Sequence, residues 1–557
     1  MSTPYQSGDA AGTASASAAA GTVGPITAPG PAIDPRTGAE ITATRLRPHA
    51  AGTGSSASAT PSGDDAAQPT MPSDVSLHDA SPRLTPFWRT LVIVLTVVGV
   101  LLTMNQVFFW NVGGVTIPTN SFLYLLIAVF VPIVFIVTPI RKRAPGSAAR
   151  QRRGVPWYDV LLLLAVMGTC AYFAVHGIEI QEYGWQYMAP TLATVLSFVF
   201  WALILETLRR AAGLVVLVIA FLFSVYPLIA GIIPLSFLQG ISYDLPTLAQ
   251  VHTMGVDSVL GLPLQTAGTI LVGFLLFGVV LQHTGGADFF HELSMAVFGR
   301  YRGGSAKVAV ASSAAMGMMS GSAVSNVLTT GPMTIPAMKR SGFSARVAGA
   351  VEATASSGGS ITPPIMGTAA FLMVSFVGVP YTTILVAATI PAILYYLGIF
   401  LQIDGYAAQR GLRGTPKNLL PRARHALAMG WPYLGALAVL TVLLFTTDSE
   451  AQVPYWVVAI LLLIALLKPS VTFGPRQWVD MGVDVGKTLA QIVGIIAGVG
   501  LILGGLTATG VALSLSRDLV ALVGDNVVLI LIAGAVVCFI LGMGLTISAA
   551  YVFLAIV

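Results

Sequence analysis

The chain has 557 residues, of which 55% are hydrophobic and only 9% charged, against roughly 25% charged in a soluble domain. Lipid is therefore the solvent for most of it, and the expected class is a polytopic membrane protein. Its two cysteines, Cys170 and Cys538, lie in apolar runs and leave neither a disulfide framework nor a metal-ligand spacing, while the net charge of +5 is informative mainly by position.

Residues 1–86 are rich in Ala, Gly, Ser, Thr and Pro, with too few large apolar groups to offset the entropy of ordering, so a disordered cytoplasmic tail is expected. Apolar runs long enough to cross a bilayer, about 20 residues each, follow near 87–109, 119–138, 157–175, 189–207 and 212–232. Arg141, Lys142, Arg143, Arg150, Arg152 and Arg153 crowd the loop after the second run, whereas Glu179 and Glu182 mark the next loop. The positive-inside rule makes the first loop cytoplasmic and the second external.

A further span, about Gln265 to Gln282, runs inward to an amphipathic connector holding His283, His291, Arg300, Arg302 and Lys307. From Val308 to Met338 comes an apolar segment with Lys307 before it and Lys339 and Arg340 after it, and the polar cluster SGSAVSN lies near its middle. Cations at both ends place both ends on one side, so the segment must turn around inside the membrane as a re-entrant helical hairpin. Irregular backbone at that depth is tolerated only where protein or a wet cavity satisfies it. Arg346 to Val379 repeats the theme: TASSGGSITPP interrupts it, with Gly358 and Gly359 permitting unusual dihedrals and Pro363 and Pro364 unable to continue a hydrogen-bonded helix. Two half-helices joined by an unwound crossing are expected.

Spans near 382–401, 431–447, 454–467 and 488–506 follow, with Arg410 to Arg424 and Lys468 to Lys487 inside, and Asp448 and Glu450 outside. After the last of these, the sequence echoes the first connector and hairpin at an offset of 225: Thr284 and Gly285 match Thr509 and Gly510, Gly317 matches Gly542, and Val327 matches Val552. The spans feeding the two units run in opposite directions, so the units form inverted repeats. Secondary transporters use that device to build a midplane site that each repeat exposes to one side.

The stretch Gly317 to Gly367, GMMSGSAVSNVLTTGPMTIPAMKRSGFSARVAGAVEATASSGGSITPPIMG, resembles the large membrane subunit of tripartite ATP-independent periplasmic (TRAP) transporters. LFGVVLQHTGGADFF and the fused N-terminal spans resemble the fused-permease branch that works with TAXI-type binding proteins. The resemblance implies an all-α polytopic fold with inverted repeats, re-entrant hairpins and discontinuous helices, working as an elevator in the bacterial inner membrane. It implies a sodium-driven importer of an organic anion, usually a carboxylate, delivered by a periplasmic binding protein. On this reading 87–210 are small-subunit-like scaffold spans and 211–250 an additional span with an external linker. Residues 251–430 hold the first transport repeat, with hairpin 308–338 and broken helix 346–379, and 431–557 hold linking spans and a second repeat that stops at Val557, inside its hairpin. The family's repeat continues further, which implies a C-terminally incomplete chain.

Carried over position by position, the ion-binding tip falls on Ser320, Gly321, Ser322, Ser325 and Asn326, with Thr329 and Thr330 beyond, and the crossing on Ser357, Gly358, Gly359, Thr362, Pro363 and Pro364. Thr546, Ser548 and Tyr551 are the second hairpin's polar groups, the first two read as site residues. Sodium prefers oxygen ligands, which hydroxyls and carbonyls freed at a helix break supply, and the half-helix N-terminus after a break suits a carboxylate. The competing readings are close helix packing for the two hairpin tips and a plain proline kink for the crossing. Glu352 is an intramembrane carboxylate, read either as functional or as a partner for Arg346 or a nearby backbone group. Glu206 reads as an interfacial ion pair with Arg209 and Arg210.

No phosphate-cradling loop, metal-ligand cluster or activated nucleophile occurs, so neither an enzyme nor a nucleic-acid binder is expected, and no cofactor beyond sodium as the coupling ion. Two alternatives remain: a sodium/anion symporter independent of a binding protein, and a truncated membrane protein that does not transport.

Overall fold

In the computed structural model the described residues are 83–111, 114, 116–140, 154–235, 238–467, 474–514, 517, 526–542 and 547–556, and among them there is no strand. The expected tail and the arginine-rich loop after Ile140 lie almost wholly outside them. Eight of the described helices are long and apolar enough to cross a membrane, so the protein is an all-α polytopic membrane protein.

The first group comprises α1 (Pro86–Phe108), α2 (Thr119–Val137), α3 (Trp157–Val175), the short α4 (Gly177–Glu182) and α5 (Thr191–Ala212). Helix α2 is apolar all round and is wrapped by its neighbours, as a fully buried helix should be. Helix α3 instead turns Leu161 and Leu164 outward, where lipid is the expected solvent.

The run near 212–232 is a single span in sequence. In the structure it is a twelve-residue α6 (Leu214–Val225) followed by two 3₁₀ turns. The stretch read as an external linker, 211–250, ends inside α7 (Leu245–Met254), a helix buried along much of its length. Its start is encoded locally, because the Asp244 side chain accepts from the Thr247 amide and Pro246 occupies the first turn. Polar pairs then hold it against the first group: Gln250 Nε2 donates to Thr194 at 2.8 Å, and the Tyr124 hydroxyl to the Thr253 carbonyl at 2.9 Å.

The next helix, α8 (Leu262–Phe298), absorbs the expected span and the first part of the expected connector, with Arg300, Arg302 and Lys307 beyond its end. It bends in a π turn at Gln282–Gly286, where Gly285 has a φ of 105° that only glycine adopts readily. The Tyr433 hydroxyl donates to the Thr284 carbonyl at that bend. Helix α9 (Gly304–Ser320), α10 (Ala323–Arg340), α11 (Ala345–Gly358), α12 (Thr368–Val377) and α13 (Tyr381–Gln409) follow, then α14 (Ala423–Thr446), α15 (Val453–Leu467), α16 (Pro475–Ala508), α17 (Val527–Gly542) and α18 (Ile547–Ile556).

Helices α8 and α16 run antiparallel. Ser258, just before α8, donates to the Gly500 carbonyl at 3.4 Å in the later part of α16, and His283 at the bend of α8 meets Asp484 at 3.2 Å near the start of α16. The helices that feed the two echoing units are thus inverted relative to each other.

Candidate functional site

Helices α9 and α10 form a hairpin whose open end closes on itself: a Cβ on Gly303, at the start of α9, would stand 3.5 Å from the Phe343 ring, just past the end of α10. Both ends of the segment therefore lie together. Lys307 pairs with Asp404 of α13 at 2.6 Å, as Arg302 does, anchoring that end. Ala306, Ala309, Val310, Met338, Ala355 and Ile403 form an apolar cluster of their own between the hairpin, α11 and α13.

The tip is a two-residue break. Gly321 caps α9 in the left-handed region, with φ 61°, and Ser322 caps α10 by accepting from the Ser325 amide at 3.4 Å. The crossing between α11 and α12 packs on the hairpin backbone to backbone: a Cβ on Gly317 would lie 2.9 Å from the Gly359 Cα, and one on Gly321 would lie 3.2 Å from the Gly367 Cα. Glycines at 317, 321, 359 and 367 thus let two irregular backbones meet.

The expected site residues divide there. Asn326 and Thr330 are buried, and they lie one helical turn apart on the face of α10 toward α9 and α11. Asn326 Nδ2 donates to the Ser313 carbonyl at 2.8 Å, to Ser313 Oγ at 2.9 Å and to Ser356 Oγ at 3.0 Å. The Ser313 carbonyl can only accept, so it fixes the amide orientation. The buried Asn326 Oδ1 is left without a hydrogen-bond partner among the described residues.

Ser320, Ser325 and Thr329 do not join this cluster. Ser320 Oγ reaches the Gly317 carbonyl at 3.4 Å, and Thr329 satisfies the Ser325 carbonyl at 3.0 Å along the exposed face of α10. In the crossing, Ser357 is exposed and bonds the Ala353 carbonyl at 2.9 Å, and Thr362 Oγ1 bonds the Gly358 carbonyl at 2.7 Å. Gly358 lies against the Tyr395 ring. The Tyr381 hydroxyl holds the extended stretch after Thr362 by donating to the Pro364 and Ile365 carbonyls at 3.0 and 2.6 Å. Thr546 lies outside the described residues, and Ser548 falls on α18, which packs on α12 through a Tyr551–Phe376 ring contact.

Glu352 corrects one expectation. Arg346 sits more than a turn earlier, is exposed, and makes no ion pair with it. The carboxylate instead accepts from four hydroxyls: Ser313 at 3.0 Å, Ser356 at 3.4 Å, Thr334 at 2.5 Å, and Thr330. Ser313, Thr334 and Ser356 were missed by the sequence reading, although Asn326, Thr330 and Thr334 repeat every four residues, as do Glu352 and Ser356.

A bundle of apolar helices with a broken hairpin packed on an unwound crossing at a polar, buried junction fits a membrane permease. The chain belongs to the tripartite ATP-independent periplasmic transporter family, DctM component, which residues 199–557 match. It is therefore an inner-membrane permease of a family that works with a periplasmic binding protein. A relative in Sinorhizobium fredii (strain NBRC 101917 / NGR234), "Uncharacterized protein y4mL", is 28% identical over 313 residues, 55% of this chain and 68% of that protein.

Proposed function

We propose that this permease couples an inward sodium gradient to uptake of an organic anion, a carboxylate, handed over by a TAXI-type periplasmic binding protein. Sodium would bind where the tip of α9–α10 meets the crossing, with Asn326 Oδ1 as a side-chain ligand. The remaining oxygens would come from Ser320 to Ser325 and from the Ser357 to Pro364 crossing. The observation that carries the reading is that Oδ1: a buried acceptor without a donor costs about 1–3 kcal/mol, and a cation would satisfy it. The N-terminus of α12 supports the anion part of the reading, because the amide of Thr368 lies near Gly321 and brings a positive helix end to the same junction. The second unit, α17 and α18, would contribute Thr546 and Ser548 in the inverted sense.

The separate apolar cluster that ties the hairpin to α11 and α13 supports an elevator motion, in which this block moves past α1–α5 as a unit. The Gly285 bend in α8 would be its hinge. Permease reconstituted with its binding protein is expected to accumulate substrate only under an inward sodium gradient, and uptake that ignores the gradient overturns the coupling.

A second reading rests on Glu352. Burying a charge with no basic partner is costly, and a proton would neutralise it as well as sodium would. Uptake that follows a pH gradient in sodium-free buffer would favour the proton.

A further inference from the structure

Glu352 is fully buried and bonded on all sides by hydroxyls, and among the described residues it has no lysine or arginine partner. His291 of α8 is close enough to interact with it electrostatically. A carboxylate is a poor choice if its task is only to tie α9, α10 and α11 together, because a neutral amide bonds hydroxyls without the cost of burying a charge. Its position explains the choice. Ser313 and Ser356 donate to the carboxylate and accept from Asn326 Nδ2, so the order Glu352, serine pair, Asn326 amide forms a relay that ends at the unpartnered Oδ1. With the Ser313 proton on the carboxylate at 3.0 Å, and the Ser356 proton on Ser313 at 2.9 Å or on the carboxylate at 3.4 Å, both serines present lone pairs to the amide and hold Oδ1 pointing away.

We propose that Glu352 is the positioning residue and counter-charge of the coupling-cation site: through Ser313 and Ser356 it aims Asn326 Oδ1 at the ion, and it supplies the negative charge that balances it. This rests on the sodium reading above. Outer groups of this kind alter cation affinity by about 10- to 100-fold when changed.

The test is sodium protection of the purified full chain against thermal unfolding, titrated with NaCl against KCl at constant ionic strength. Glu352→Gln keeps the shape and accepts hydroxyl bonds, and it is expected to raise the half-saturating sodium concentration about 10-fold or more, with little change in the unfolding temperature measured in KCl. Glu352→Asp should recover part of the affinity, and Ser356→Ala should lose less than Glu352→Gln. Arg346→Ala, at an exposed position, should titrate as the unaltered chain does. Unchanged sodium affinity in Glu352→Gln overturns the proposal while leaving the sodium reading intact. Absence of sodium-specific protection in the unaltered chain overturns that reading and this proposal together. If Glu352→Gln does not fold, Glu352→Asp and Ser356→Ala decide, and wild-type affinity in both is the overturning result.

Discussion

Two carboxylates are fully buried among the described residues, and they are treated in opposite ways. Asp159 of α3 is closed by cations. Arg210 of α5 comes within 2.8 Å of it, although off the hydrogen-bond direction, and Arg83 pairs with it from the approach to α1. Glu206 adds a second carboxylate to Arg210 at 2.7 Å, and the guanidinium stacks 4.9 Å from the centre of the Phe135 ring. Each carboxylate there meets arginines within the protein, Glu206 also holding Arg209 at 2.7 Å, which fits a rigid scaffold. Glu352 has donors and no cation, so its region satisfies geometry while leaving charge open. The cation site proposed above would need that openness, and a scaffold the reverse.

The comparison can be broken most directly at Asp159. Asp159→Ala takes the carboxylate away from Arg83 and leaves the buried Arg210 to Glu206 alone, and is expected to cost up to about 3–5 kcal/mol, seen as a lower unfolding temperature that sodium shifts by the usual increment. If the loss changed sodium affinity instead, the division between closed and open charges would fail. Asn326→Ala should show the reverse pattern, an apparent sodium affinity lower by about 10- to 100-fold with normal expression. Sodium-dependent uptake indistinguishable from the unaltered chain would remove Asn326 from the site.

Gly359→Ala tests the backbone contact that joins hairpin and crossing, since the added methyl would collide with the Gly317 backbone. Overpacking of this kind costs about 1–3 kcal/mol, and both stability and sodium affinity should fall because the junction itself is wedged apart. The smallest effect is expected for Ser322→Ala, which removes the cap of α10 at an exposed position, about 1 kcal/mol. Stability equal to that of the unaltered chain would mean that the tip does not depend on its cap.

The helical, membrane-embedded nature of the chain was legible because composition and run length answer to a single solvent. The hairpin was legible for a related reason: Lys307 and Lys339 flank an apolar segment, and cations stay on the wet side. Helix α7 was not, because its polar Gln250, His252 and Thr253 find their partners only on α5 and Ser224; His252 bonds the Ser224 carbonyl at 2.8 Å. The sequence also drew Ser320, Ser325 and Thr329 into one cluster with Asn326. Spacing puts them near one another along the chain, but the Ser320 and Thr329 hydroxyls turn to carbonyls of their own helices and Ser325 is exposed.

Sequence alone determined the class, the broken segments and the polar residue types at each break, since those follow from hydropathy, charge placement and the dihedral limits of glycine and proline. Only the tertiary structure decided which oxygens meet. Ser313, Asn326, Thr334, Glu352 and Ser356 come from three helices, and a hydroxyl's partner within about 3 Å is set by how those helices pack, which no local pattern records.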